Sequence, residues 1–189
     1  MTTSQILDCI AASHEALDSL GRQSDKVAAA CDLMVSTFRV GNKVLTCGNG
    51  GSAAEAMHMA EEAIGRYRGN RVSLPAVCLS ADGTALTCIG NDFGFDQVFS
   101  RQVEGLGKEG DLLVLFTSSG NSRNLLLALE AAKAKRMKTL AILGKTGGLL
   151  AGKADIEIII EGTDTARIQE AHQLLMHILL EAVEQAFFV

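Results

Sequence analysis

Apolar residues recur at helical spacing along the first forty positions. Ile6, Ile10, Leu17 and Leu20 form one stripe, and Val27, Cys31, Met34 and Phe38 form a second. The spacing predicts helices over 4–20 and 24–40, closed by Gly21 and Gly41. Two such helices carry apolar faces that need a partner, which another subunit can supply. From residue 43 the pattern changes to short apolar runs at 43–47, 74–80, 111–117, 138–143 and 155–160. Between them, 52–66, 96–106 and 122–136 read as helices, and 165–187 as a long last helix. Buried strands alternating with helices predict an α/β fold: a single five-stranded parallel sheet flanked by helices, behind an N-terminal helical pair. Its crossovers should be right-handed. Ligands in such sheets bind beyond the carboxyl ends of the strands, so the strand-to-helix loops are the places to search.

Length and composition narrow this picture. At 189 residues with 48% hydrophobic positions, the chain is expected to be one domain over 1–189, with 1–41 as a helical extension and 42–189 as the α/β core with its C-terminal helix. The net charge is −5 and Lys and Arg form no block, which argues against a nucleic-acid surface. The first residues lack a basic stretch followed by an apolar one, and no long apolar run occurs. The expectation is a cytoplasmic protein with no membrane span. Five cysteines without a C-x-x-C fit reduced thiols.

Two loops are built for an anion. The first, Gly48-Asn49-Gly50-Gly51-Ser52, follows the first strand and opens a helix, where unpaired N–H groups and the helix dipole favour a phosphate. It carries neither the dinucleotide nor the P-loop fingerprint. Ser52-Ala53-Ala54-Glu55 also fits a capping box, in which Ser52 would only cap the helix. The second loop, Thr117-Ser118-Ser119-Gly120-Asn121-Ser122, places four hydroxyls at the mouth of a buried strand. Such loops often serve only as turns and caps. Two at the same end of one sheet point to phosphate.

Proton-moving groups follow. His58 and Glu62 lie one helical turn apart on one face, a pattern that suits a metal, acid–base chemistry or an ordinary surface pair. His177 stands inside an apolar stretch, as either a core histidine or a site residue. With four histidines and no zinc-type Cys/His cluster, any metal site must mix nitrogen and oxygen ligands.

Cys47-Gly-Asn-Gly-Gly-Ser52, Met57-His-Met-Ala-Glu-Glu62, Gly90-Asn-Asp-Phe-Gly-Phe95, Thr117-Ser-Ser-Gly-Asn-Ser122 and Ala166-Arg-Ile-Gln-Glu170 with His177 occur in this order. In these motifs the chain resembles, over essentially its whole length, the sedoheptulose 7-phosphate isomerases (phosphoheptose isomerases) of the sugar isomerase (SIS) domain superfamily. The resemblance implies a flavodoxin-like core, a homotetramer and one zinc per active site. It implies an aldose–ketose isomerase that makes D-glycero-D-manno-heptose 7-phosphate through an enediol(ate), for heptose units of lipopolysaccharide or related glycans. By the same resemblance Glu62 and His177 are catalytic, and His58, Glu62, Gln169 and His177 are metal positions. Asn49, Gly50, Gly51, Ser52, Glu62, Asn91, Asp92 and Gln169 would meet the substrate, with the phosphate on Thr117, Ser118, Ser119 and Ser122. Gln169 and His177 are separated by about 12 Å of helix rise, and Gln173 fits beside His177 more easily by geometry; the motif selects Gln169.

Three alternatives accompany this reading. A non-catalytic relative that binds a replication initiator lacks the equivalents of Glu62 and His177, whereas this chain has both. Sugar-phosphate-sensing regulators carry an added DNA-binding module, for which the residues before the first strand are too few. An isomerase of another sugar phosphate would present similar loops.

Overall fold

A computed structural model describes residues 1–187. Helices α1 (Thr3–Gly21) and α2 (Ser24–Arg39) lead into β1 (Val44–Gly48), α3 (Gly51–Ile64), β2 (Ala76–Cys78) and α4 (Gly83–Phe93). Then follow α5 (Ser100–Leu106), β3 (Leu112–Thr117), α6 (Arg123–Ala134), β4 (Lys138–Gly144), β5 (Ile156–Ile160) and α7 (Thr165–Phe187). The strands form one five-stranded sheet in the order β2-β1-β3-β4-β5, and every pairing is parallel.

The sheet separates two apolar layers. Val44, Leu112, Val114, Phe116, Leu140 and Ile142 face α1, α2, α3 and α7. Leu45, Cys47, Leu113, Leu115, Ala141 and Leu143 face α5 and α6. This alternation on strands buried throughout explains the unbroken apolar runs of the sequence.

The expected N-terminal helices form, and their apolar stripes divide. Leu20, Val27, Met34 and Phe38 are buried, whereas Ile6 and Ile10 stay exposed. The Gln23 side chain acts as a surrogate neighbour for edge strand β5. Its amide donates to Ile159 O at 2.7 Å and its Oε1 accepts from Ile159 N at 3.1 Å.

Two stretches differ from the sequence expectation. The run at 74–80 yields only the short β2, because Pro75 lacks an N–H and Ser80 turns back to donate its hydroxyl to Gly48 O at 2.8 Å. Helix α4 was not anticipated. Its apolar face is short, with Leu86 and Ile89 only partly buried against the α5–α6 side of the core, and Asp82 sets its start by accepting from Thr84 N and Ala85 N. The expected helix at 96–106 begins as a short 3-10 turn over 95–97 and becomes α-helical only in α5.

Candidate active site

The β1–α3 turn is shaped by its glycines. A Cβ on Gly48 would stand 2.3 Å from Ser52 O, so no side chain fits beneath the turn. Gly50 has φ +56 and is itself the N-cap of α3, with no side chain closing the helix end. Ser52 is therefore not the cap but a buried residue of the first turn. The capping-box alternative is not what forms, and Glu55 does not reach back to the cap.

Asn49 and Asn124 exchange two amide hydrogen bonds of 2.9 Å, which tie this turn to the first turn of α6. In the second loop Gly120 N donates to Thr117 Oγ1 at 3.1 Å and Asn121 N to Ser119 Oγ at 3.2 Å. Ser122 caps α6 without a side-chain bond, so its hydroxyl remains available. Between the loops lies a cleft of about 260 Å³ lined by Asn49, Gly51, Ser52, Phe116, Thr117, Ser118, Ser119, Ser122, Thr165 and Gln169. No Lys or Arg lines it. Hydroxyls, backbone N–H groups and the N-termini of α3 and α6 supply what attraction an anion would find there.

The candidate proton-moving groups sit further along α3 and on α7. His58 Nε2 lies 3.2 Å from Glu62 Oε1. The Gln173 amide nitrogen lies 2.7 Å from His58 Nδ1 and 3.3 Å from His177 Nε2, so it donates to both rings and joins α3 to α7. The two imidazoles stand edge to face with centroids 5.3 Å apart, and Tyr67 stacks on His177 at 5.7 Å. Burial pushes the His177 imidazole below its ordinary pKa; His58 and Arg68 act in the same direction and Glu62 opposes them. The surroundings of His177 thus favour its neutral form.

Metal donors converge here as well. One ligand atom from each of His58, Glu61 and Glu62 falls within a 4.8 Å group. With His177 joined to His58 through Gln173, the donor set is imidazole and carboxylate, which fits a zinc-class ion.

A second cavity, lined by Gly51, Glu55, Ala166, Gln169, Glu170 and Gln173, abuts the anion cleft. Of the residues named from sequence, Asn49, Gly51, Ser52, Thr117, Ser118, Ser119, Ser122 and Gln169 line the cleft, and Gly50 shapes its turn. His58, Glu62 and His177 meet at the other end. Gln169 lies at the anion end, and it is Gln173 that contacts the imidazoles. Asn91 and Asp92 are exposed on α4, bonded to each other at 2.7 Å, and line neither cavity. Asn124 and Tyr67 were not singled out in the sequence. Asn124 stands on the buried face of α6 and Tyr67 lies in the loop after α3, and their contacts with Asn49 and His177 arise only from the packing of distant segments.

Comparison with known proteins agrees with this architecture. The SIS domain family matches residues 10–144. The chain is 51% identical over 161 residues to the phosphoheptose isomerase of Vibrio cholerae, covering 85% of this chain and 84% of that one. It is 49% identical over 158 residues to the Campylobacter concisus phosphoheptose isomerase, with 84% of each covered. The solved phosphoheptose isomerase of Francisella tularensis superposes with a TM-score of 0.93 at 36% identity, covering 98% of this chain and all of that one. The one from Neisseria gonorrhoeae gives 0.90 at 39% identity, covering 96% and 98%. With the sheet order, the paired anion loops and relatives of this closeness, the chain belongs to the phosphoheptose isomerase family of SIS-domain proteins.

Proposed function

We propose that this chain is an aldose–ketose isomerase that converts sedoheptulose 7-phosphate to D-glycero-D-manno-heptose 7-phosphate, the substrate class named by its relatives. The observation that carries this is the shared track of α3 and α7. Both helices begin at the hydroxyl-lined anion cleft and run to the cluster of His58, Glu62, Gln173 and His177. From Gln169 to His177 the helix rises about 12 Å, comparable to an extended seven-carbon sugar phosphate.

The phosphate is anchored at Ser52, Thr117, Ser118, Ser119 and Ser122, which orients the distant carbons. Glu62, mostly shielded from solvent, takes the proton from carbon and returns it to the neighbouring carbon. His177, whose surroundings favour its neutral form, moves the proton between the two oxygens of the enediol(ate). Gln173 fixes the ring tautomers by donating to His58 Nδ1 and His177 Nε2. A zinc ion held by His58, Glu62 and His177 with Gln169 or Gln173 would replace the Gln173 contacts as the partner of the imidazole lone pairs, and would supply Lewis-acid polarisation of the substrate oxygens. Asn91 and Asp92, on the exposed end of α4, would join the site when neighbouring subunits assemble. A homotetramer in the cytoplasm, supplying heptose for a surface glycan, is the setting this reading implies.

The test is Glu62→Gln assayed with sedoheptulose 7-phosphate. Turnover should fall by about 10²–10⁴-fold while the thermal stabilisation given by inorganic phosphate persists. Near-normal turnover removes Glu62 from the chemistry. Chelation before the assay, followed by zinc, should abolish and restore activity.

A further inference from the structure

A buried ion pair lies beyond the two cavities. Arg71, in the loop after α3, is 1% exposed at its side chain, and Glu184, near the end of α7, is 8% exposed. Arg71 Nε donates to Glu184 Oε2 at 3.1 Å. Its other nitrogens donate to Glu62 O at 2.6 Å, Ala63 O at 2.9 Å and Val72 O at 2.9 Å. Carbonyls in the last turn of a helix have no partner within it, so Arg71 closes the C-terminal end of α3 at the residue that bears the acid. Glu184 Oε1 accepts from Gly69 N at 2.6 Å and Arg68 N at 3.4 Å, which draws the loop onto α7.

Glu184 stands two helical turns beyond His177 and projects from nearly the same face of α7. A closed circuit results: His177 along α7 to Glu184, across to Arg71, and back to the Glu62 backbone. The same loop carries Tyr67, whose ring is inclined 30° to that of His177. We infer that Arg71 and Glu184 are positioning residues that fix the spacing of Glu62 and His177, the proposed proton-moving pair, and hold Tyr67 against His177. This rests on the isomerase reading for its effect on rate but not for its effect on geometry.

A guanidinium is suited to the task because its planar fork serves several acceptors in fixed directions, which the single ammonium of lysine does not do. A misplacement near 1 Å at a reacting group costs about 10²-fold in rate. Neither residue lines the anion cleft.

The experiment compares Arg71→Lys and Glu184→Gln with wild type in the full chain. Glu184→Gln keeps an acceptor for Gly69 N and Arg68 N but removes the charge that fixes Arg71, so it stays folded even where Arg71→Lys does not, while still loosening the loop. The chain has one tyrosine and no tryptophan, so the near-ultraviolet dichroism of that tyrosine reports the Tyr67–His177 contact directly. Expected are a kcat lowered by about 10–10²-fold with KM little changed, a weakened Tyr67 band, and an undiminished thermal response to inorganic phosphate. Wild-type kcat in both folded variants, an unaltered Tyr67 band, or loss of the phosphate response in step with kcat would each overturn the inference. If wild type does not isomerise the substrate, the isomerase reading fails on its own, and the Tyr67 band alone decides the positioning role.

Discussion

A Cβ at position 51 would stand 2.4 Å from the Gln169 amide nitrogen. The Gln169 side chain can swing away at little cost to the fold, but it would leave the anion cleft. Gly51→Ala is therefore expected to keep its melting temperature near wild type and to weaken inorganic phosphate binding about fivefold, the loss of roughly one hydrogen bond of ~1 kcal/mol. Calorimetric titration with phosphate measures it. Gln169 and Gln173 show where residue-level reading stops. Sequence spacing gives the face of α7 on which each lies, but not which part of α3 that face meets. The packing of α7 on α3 assigns one to each end of the track. Likewise Ser52-x-x-Glu55 has the letters of a capping box, yet the positive φ of Gly50 moves the cap two places earlier and leaves Glu55 for another partner.

That partner belongs to the level of elements, where α3 and α7 are joined by a buried pair. Glu55 Oε2 is 3.7 Å from His172 Nδ1, and neither atom has a hydrogen bond. His172 Nε2 donates to Leu143 O at 3.0 Å, which anchors the ring to β4. Removing one member strands the other in the core. His172→Leu should lower stability in urea unfolding, and adding Glu55→Leu should recover much of the loss. The Arg71–Glu184 pair makes a different forecast. Burial raises the Glu184 carboxyl, but hydrogen bonds from Gly69 N, the Arg71 side chain and Arg68 N, with the Arg71 charge, outweigh it and hold the pKa below its ordinary value. A depressed carboxyl contributes stability above its unfolded-state pKa and loses that contribution as pH falls through the folded-state value. The melting temperatures of wild type and Glu184→Gln should therefore differ most near neutrality and converge in acid. Elements with a core-facing stripe, such as α3, α6 and α7, were legible from the sequence. The short α4, whose Leu86 and Ile89 stripe is flanked by Gly, Thr and Asn, and the truncated β2, whose apolar run outlasts its pairing, were not.

Over the whole molecule the five-stranded parallel sheet and its helical layers follow from the apolar runs, since strands buried on both faces leave few other architectures. Assembly is less direct. Ile6, Leu7 and Ile10 leave an apolar strip of α1 at the surface, with exposures of 48%, 60% and 47%. Burial of that strip between copies is what the proposed homotetramer requires. Sedimentation should give a mass about four times the 19.9 kDa of one chain, and Ile6→Glu with Ile10→Glu should lower it.

The loop after β3 meets the loop after β4 with backbone against backbone: a Cβ on Gly120 would stand 1.9 Å from Gly147 O, and Leu150 N donates to Gly120 O at 3.1 Å. No side chain intervenes to absorb a shift. An insertion or deletion between 145 and 150 would thus be felt at Ser118 and Ser119 even with every cleft residue intact. Remodelling this enzyme for a shorter or longer sugar should accordingly begin in a segment that lines neither cavity.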